Sequence, residues 1–187
     1  MRLFHLSDLH IGKRVNEFSM IEDQKYILER ILDLAEKEMP DGVILAGDIY
    51  DKQIPSAEAV QVFDEFITKL AERKFPIFVI SGNHDSAERL AFGGRLLNSR
   101  GIYLSPVYDG TVMKIPIADQ YGTVWIHLLP FIRPAAVRRV FEDESDLITD
   151  VQSAVRAVIS HMEIDPNERN ILVAHQFVTG ASRCESE

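Results

Sequence analysis

Apolar positions along the chain follow two alternating periods. The short runs Leu3 to Leu6, Val43 to Ala46 and Ile77 to Ile80 read as buried strands, and the segments between them repeat at helical spacing. Ile27, Ile31, Leu34 and Ala35 fall at i, i+4, i+7 and i+8, which predicts an amphipathic helix over residues 20 to 39, ended by Pro40. Ala59, Phe63, Phe66, Ile67 and Leu70 predict a second helix, with Ser56 after Pro55 as its N-cap. Strand and helix in strict succession build a parallel sheet covered by crossover helices.

The second half changes character. Thr111 to Ile115 and Thr123 to Leu129 flank a turn containing Gly122 and read as a hairpin, so antiparallel pairing is expected as well and the sheets are expected to be mixed. Leu147, Val151, Ala154, Val155, Val158 and Met162 mark a long helix, and Ile171 to Ala174 a last buried strand. Residues 179 to 187 are small and polar and read as a loop. With no internal repeat or linker, residues 1 to 187 are expected to form one domain.

Composition narrows the classes of function. At 46% hydrophobic residues the chain can bury a substantial core, which excludes a disordered or collagen-like protein. Its net charge of -9 repels phosphate backbones and anionic membranes, so any nucleic-acid role must reside in a local site. The single cysteine, Cys184, can form no internal disulfide and no thiolate cluster. No run of about 18 apolar residues and no signal-like start is present, so a cytoplasmic protein without a membrane partner is expected.

Residues able to bind metals stand directly after the strand candidates: Asp8 and His10 after the first, Asp48 after the second, Asn83 and His84 after the third, His175 after the last. In an open α/β sheet those loops converge on one crevice. Carboxylate, amide and imidazole without thiolate suit manganese, magnesium, iron or zinc. A central Asp48 with one oxygen on each of two ions would hold them about 3.5–4 Å apart, as two-metal hydrolases require. Gly47 and Gly82, each just before a candidate ligand, suit sharp turns or close approaches.

Each motif also has a purely structural reading. Asp8-x-His10 occurs by chance in roughly half of chains this long. Gly47-Asp48-x-x-Asp51 has a chance expectation of about 2%, and Gly82-Asn83-His84-Asp85 one on the order of one in a thousand. A turn and a helix cap at Asp85 or Ser86 compete for the last. Packing or surface roles suit His5, His127 and His161. Lys13, Arg14, Arg89, Arg95 and Arg133 lie near these loops in sequence and could meet phosphates or be ordinary surface charge.

The series Asp8-Leu9-His10, Gly47-Asp48-Ile49-Tyr50-Asp51, Gly82-Asn83-His84-Asp85 and Val173-Ala174-His175 resembles the calcineurin-like metallophosphoesterases over essentially the whole chain. A finer resemblance, to bacterial DNA exonuclease subunits, rests on Ser7 to Gly12, Ala46 to Asp51, Leu129 to Pro134 and His175-Gln176-Phe177. The resemblance implies a four-layer α/β/β/α sandwich holding two divalent ions, manganese foremost. Asp8, His10 and Asp48 would hold one ion, and Asp48, Asn83 and His175 the other. His84 would be general acid or transition-state donor, oriented by Asp51. DNA would be the substrate, an ATPase subunit the partner, and a homodimer the assembly, through the helices after Pro55 and after Asp85, with Val60 and Val62 as candidate surface residues.

One departure qualifies this. The family closes its site with a Gly-His-x-His-type element, and none follows His175. The chain is therefore expected to be an N-terminal piece of a longer protein, binding metal weakly and cutting DNA poorly by itself. The alternatives are a phosphoesterase acting on small esters or nucleotides, and a non-catalytic binding module.

Overall fold

A computed structural model describes residues 1 to 177. The expectations for residues 179 to 187, including Cys184, lie outside the described residues. In chain order the elements are β1 (Leu3–Leu6), the short strands β2 (Arg14–Val15) and β3 (Phe18–Ser19), α1 (Ile21–Glu38), β4 (Gly42–Ala46), α2 (Ala57–Glu72) and β5 (Ile77–Ile80). Then come the single turns α3 (Ala87–Leu90) and α4 (Gly94–Leu97), β6 (Ile102–Leu104), β7 (Met113–Asp119), β8 (Gly122–Leu128), α5 (Pro134–Val140), α6 (Val151–Ser160) and β9 (Arg169–Val173).

β1, β4, β5 and β6 form one sheet in the order β1-β4-β5-β6, parallel throughout. Alternate residues of its central strands face opposite ways. Val43, Leu45, Ile77 and Val79 pack against Leu28 and Leu32 of α1 and Phe63, Phe66 and Leu70 of α2. Ile44, Ala46, Phe78 and Ile80 pack instead on Ile115, Val124, Ile126 and Leu128 of a second sheet. That sheet, ordered β7-β8-β9, is mixed: β7 and β8 are antiparallel, β8 and β9 parallel. Burial of β4 and β5 on both faces explains their uninterrupted apolar runs.

On the far face of β8, His127 is only 2% exposed and its Nε2 lies 2.9 Å from Asn170 Oδ1. Helices α5 and α6 pack together with Leu129, Ile132 and Ile148 in a third cluster. The α/β architecture expected from the sequence is observed, with the mixed pairing confined to the second sheet.

Several boundaries differ from the sequence reading. The hairpin strand runs from Met113 rather than Thr111, and the long helix shrinks to Val151–Ser160. Asp150 starts that helix with a capping box shared with Ser153, leaving Leu147 in a 3-10 turn and 73% exposed. Ser56 caps α2 as expected, accepting from the amide of Ala59. Val62 is corrected: it is buried under α2, while Val60 is 44% exposed.

Candidate metal centre

The C-terminal ends of β1, β4, β5 and β9 open onto one rim, and the loops after them carry the candidate ligands. Two of these loops are locked in register. The amides of Asp8, His10 and Ile11 donate to the carbonyls of Gly47 (3.1 Å), Asp48 (2.9 Å) and Ile49 (2.9 Å). Asp8, His10 and Asp48 all adopt the left-handed conformation, with φ of 56, 43 and 50°. Each such residue costs on the order of 1 kcal/mol and persists where its surroundings enforce it.

Two side chains outside the candidate set do that enforcing. Gln24 of α1 donates through Nε2 to the carbonyls of Leu9 (3.1 Å) and His10 (2.7 Å), and accepts through Oε1 from the amide of Gly12 (2.9 Å). Asp85, 6% exposed, accepts from the amides of Ile49 (3.0 Å), Tyr50 (2.9 Å) and Gly82 (2.9 Å), tying the second loop to the third. Burial pushes the Asp85 carboxyl up, with the charge of Asp48 adding to it, although the three amides pull the other way. Asp85 is therefore no helix cap; Ser86 takes that role in α3. Gln24 is not legible as a site residue in the sequence, because its polar side chain falls within an ordinary amphipathic helix.

Asp48 lies at the centre, 3% exposed. Its Oδ1 accepts from the amide of His84 at 2.8 Å. Its Oδ2 faces Nε2 of His175 at 3.5 Å and Nε2 of His10 at 3.8 Å. Oδ1 is engaged by the backbone amide of His84, and Oδ2 is the oxygen that faces both His10 and His175. Asp8 Oδ1 stands 3.7 Å from His10 Nε2, and the Ser7 hydroxyl donates to the Asp8 carboxylate, with Ala46 O at 3.2 Å as a second acceptor in reach of the same proton.

The donor atoms form two overlapping groups, Asp8 with Asp48 and His175, and His10 with Asp48 and His84, each set lying within 4.8 Å of one another. Asn83, half-buried between Gly82 and His84, makes no side-chain hydrogen bond among the described residues. The structure thus brings Asp8, His10, Asp48, Asn83, His84 and His175 to one rim.

His175 shows what the cluster needs. Its Nδ1 lies 2.7 Å from the carbonyl of Ala46, so Nδ1 carries the proton and the Nε2 lone pair points at Asp48 Oδ2. Two acceptors face each other, a contact that only a proton or a cation satisfies. Without metal the proton takes that place. The facing carboxylate of Asp48 pushes His175 up to about 9 against the opposing effect of burial. For Asp48 burial is the largest influence and pushes upward, yet its contacts with His175 and the His84 amide outweigh it and hold the carboxyl below the usual range. Separations of 3.5 to 3.8 Å are long for hydrogen bonds but fit donors about 2.1 Å from one shared ion, which lie roughly 3–4.2 Å apart. The residues present fit divalent metal.

Asp51 departs from its expected role. His84 Nδ1 is 3.1 Å from the main-chain oxygen of Asp51, while the Asp51 carboxylate stands 3.8 Å from Nδ1 of His10. The carbonyl thus orients His84, and the carboxylate is aimed at His10, whose buried Nδ1 makes no hydrogen bond among the described residues. The His84 ring stands edge-on to His10 at 4.8 Å between centroids and is exposed on its other side.

Fold and candidate ligands together place the chain in the metallophosphoesterase class. The family model for calcineurin-like phosphoesterases matches residues 1–186, and the chain belongs to that family. Among individual proteins it is similar to the SbcD subunit of the nuclease SbcCD of Staphylococcus epidermidis, at 36% identity over 190 residues covering 100% of this chain and 49% of that protein. The protein of the same name from Staphylococcus saprophyticus is 35% identical, with the same coverage of both chains. The chain spans about half the length of the curated relatives it matches. Among the described residues no helix is long and apolar enough to cross a membrane.

Proposed function

We propose that this chain forms the metal-binding body of a DNA phosphodiesterase, the nuclease subunit of an SbcCD-type repair and recombination complex. The observation that carries the reading is Asp48, whose one free oxygen stands between His10 and His175 with Asp8 alongside. In this reading Asp8, His10 and Asp48 hold one ion, and Asp48, Asn83 and His175 the other, with manganese preferred. Divalent ions held there would acidify water toward neutral pH and offset charge on the phosphoryl oxygens.

The chain's own side chains do the remaining work. His84, with Nδ1 directed at the Asp51 carbonyl, keeps Nε2 for the reaction, and its protonated form can donate to the phosphoryl oxygen or leaving group. The Asp51 carboxylate, 3.8 Å from Nδ1 of His10, favours the proton on that nitrogen and so leaves Nε2 as the donor atom for an ion. An SbcC-type ATPase is the proposed partner and the cytoplasm the proposed location. Val60 of α2, 44% exposed, with Phe92 (86%) and Leu96 (79%) beside α3 and α4, offers the apolar surface for a homodimer.

The test compares the full-length protein on linear duplex DNA and on a small diester, bis(4-nitrophenyl) phosphate, with manganese present. Cleavage of both, abolished by Asp48→Asn, is the expected result. Hydrolysis of the small diester with intact DNA would leave a phosphoesterase of other substrates, and hydrolysis of neither would leave a binding module.

A further inference from the structure

The chain crosses from the second sheet to the first directly along the metal rim. Leu129 N–H donates to Val173 O at 3.0 Å and Phe131 N–H donates to Ser81 O at 2.8 Å. The segment after β8 is thus fastened just ahead of His175 on one side and just ahead of Asn83 on the other. Leu129 and Ile132 anchor it, 0% and 2% exposed. Phe131 is only half-buried and stays out of the apolar clusters. Arg133, with extended backbone (φ -114°, ψ 147°), is exposed, and its guanidinium carbon lies 5.9 Å over the Phe131 ring.

Among the described residues Arg133 has no carboxylate within ion-pair distance, as is also true of Arg14, Arg89, Arg95, Arg100, Arg138, Arg139 and Arg156; what separates Arg133 from these is its place on the segment fastened beside the loops of Asn83 and His175. In a chain of net charge -9, with Asp8, Asp48 and Asp51 lining the rim, an incoming phosphate backbone is repelled unless cations receive it.

We propose that Arg133, seated on Phe131, grips the DNA strand beside the metal centre, the guanidinium taking a phosphate next to the scissile one and Phe131 meeting a base or sugar face. A planar guanidinium can bind two phosphate oxygens at once, and an aromatic ring stacks on any base without reading its identity. The grip deepens the proposed function and rests on that reading.

The test uses the full-length protein with manganese and a fluorescent phosphorothioate oligonucleotide, which resists cleavage, titrated at several salt concentrations. Arg133→Gln is expected to weaken binding about tenfold and to reduce the salt slope by about one. Arg133→Lys should recover part of the loss, and Phe131→Ala should weaken binding with little change in slope. Arg139→Gln, an exposed change on α5, should bind as the unmodified protein does. An unchanged affinity and slope in Arg133→Gln would overturn the grip, as would an unmodified protein that hydrolyses bis(4-nitrophenyl) phosphate but binds no oligonucleotide. Binding that depends on Arg133 without diester hydrolysis would uphold the grip and overturn the catalytic reading.

Discussion

Gly82 touches Asp48 so closely that a Cβ built on the glycine would stand 2.1 Å from Asp48 Oδ1 and 2.3 Å from the Asp48 amide nitrogen. Neither atom is free to retreat, because Oδ1 already accepts from His84 and the amide belongs to a strained, buried turn. Gly82→Ala is expected to cost about 1–3 kcal/mol, the range for overpacking, and to weaken metal binding by displacing the shared carboxylate. Urea unfolding and manganese calorimetry on one preparation check both effects. Unchanged manganese affinity would show that Asp48 is not the shared ligand.

Gln24 should act on metal affinity more than on the fold. Gln24→Glu keeps the size and the acceptor for Gly12 but removes the N–H donors to Leu9 O and His10 O. A partner outside the ligand set typically contributes 10–100-fold to metal affinity, so weakening of about that size is expected for the ion held by His10. Calorimetry should then show the His10 side weakened and the His175 side retained; equal weakening of both would argue for general destabilisation instead.

Asp85 is predicted to be structural. Asp85→Ala leaves three buried amides without an acceptor, and each such group costs about 1–3 kcal/mol. Thermal unfolding should drop markedly even in excess chelator. A loss seen only with metal present would place Asp85 among the ligands.

The pH dependence follows from His175. Its folded-state pKa, about 9, lies above the ordinary 6.5, so the stabilisation from its pairing with Asp48 is fully present below about 6.5 and is lost as pH rises through about 9. The metal-free protein should therefore lose stability across that window. Manganese affinity should rise over the same window, because the ion must displace the proton on Nε2. Denaturant midpoints from pH 6 to 10, with and without manganese, test this; a profile identical to that of His175→Gln would remove the pairing from the account.

His84→Gln should retain both ions and lower turnover by roughly 10²-fold or more, as loss of a proton donor or transition-state contact does. The grouping of His84 with His10 and Asp48 offers the competing outcome, in which one ion is lost and His84 is a ligand. Metal stoichiometry decides between them.

The strands β1, β4 and β5, the helices α1 and α2, and the loops bearing Asp8, Asp48, Asn83 and His175 were legible in the sequence. Local period sets buried strands and amphipathic helices, and small, polar residues end them. The irregular stretch from Ala87 to Leu104 and the exact limits of α6 were not legible, because single turns and a capping box leave little hydrophobic rhythm. The site divides in the same way. Residue types and their places after strands determined which groups could bind metal. Only the tertiary structure decided that Asp48 turns one oxygen to both sides, that Asp51 aims its carboxylate at His10 and its carbonyl at His84, and that Gln24 and Asp85 lock the loops. Those are contacts between segments remote in the chain, and their distances are set by how two sheets and their helices pack, which no local pattern of residues encodes.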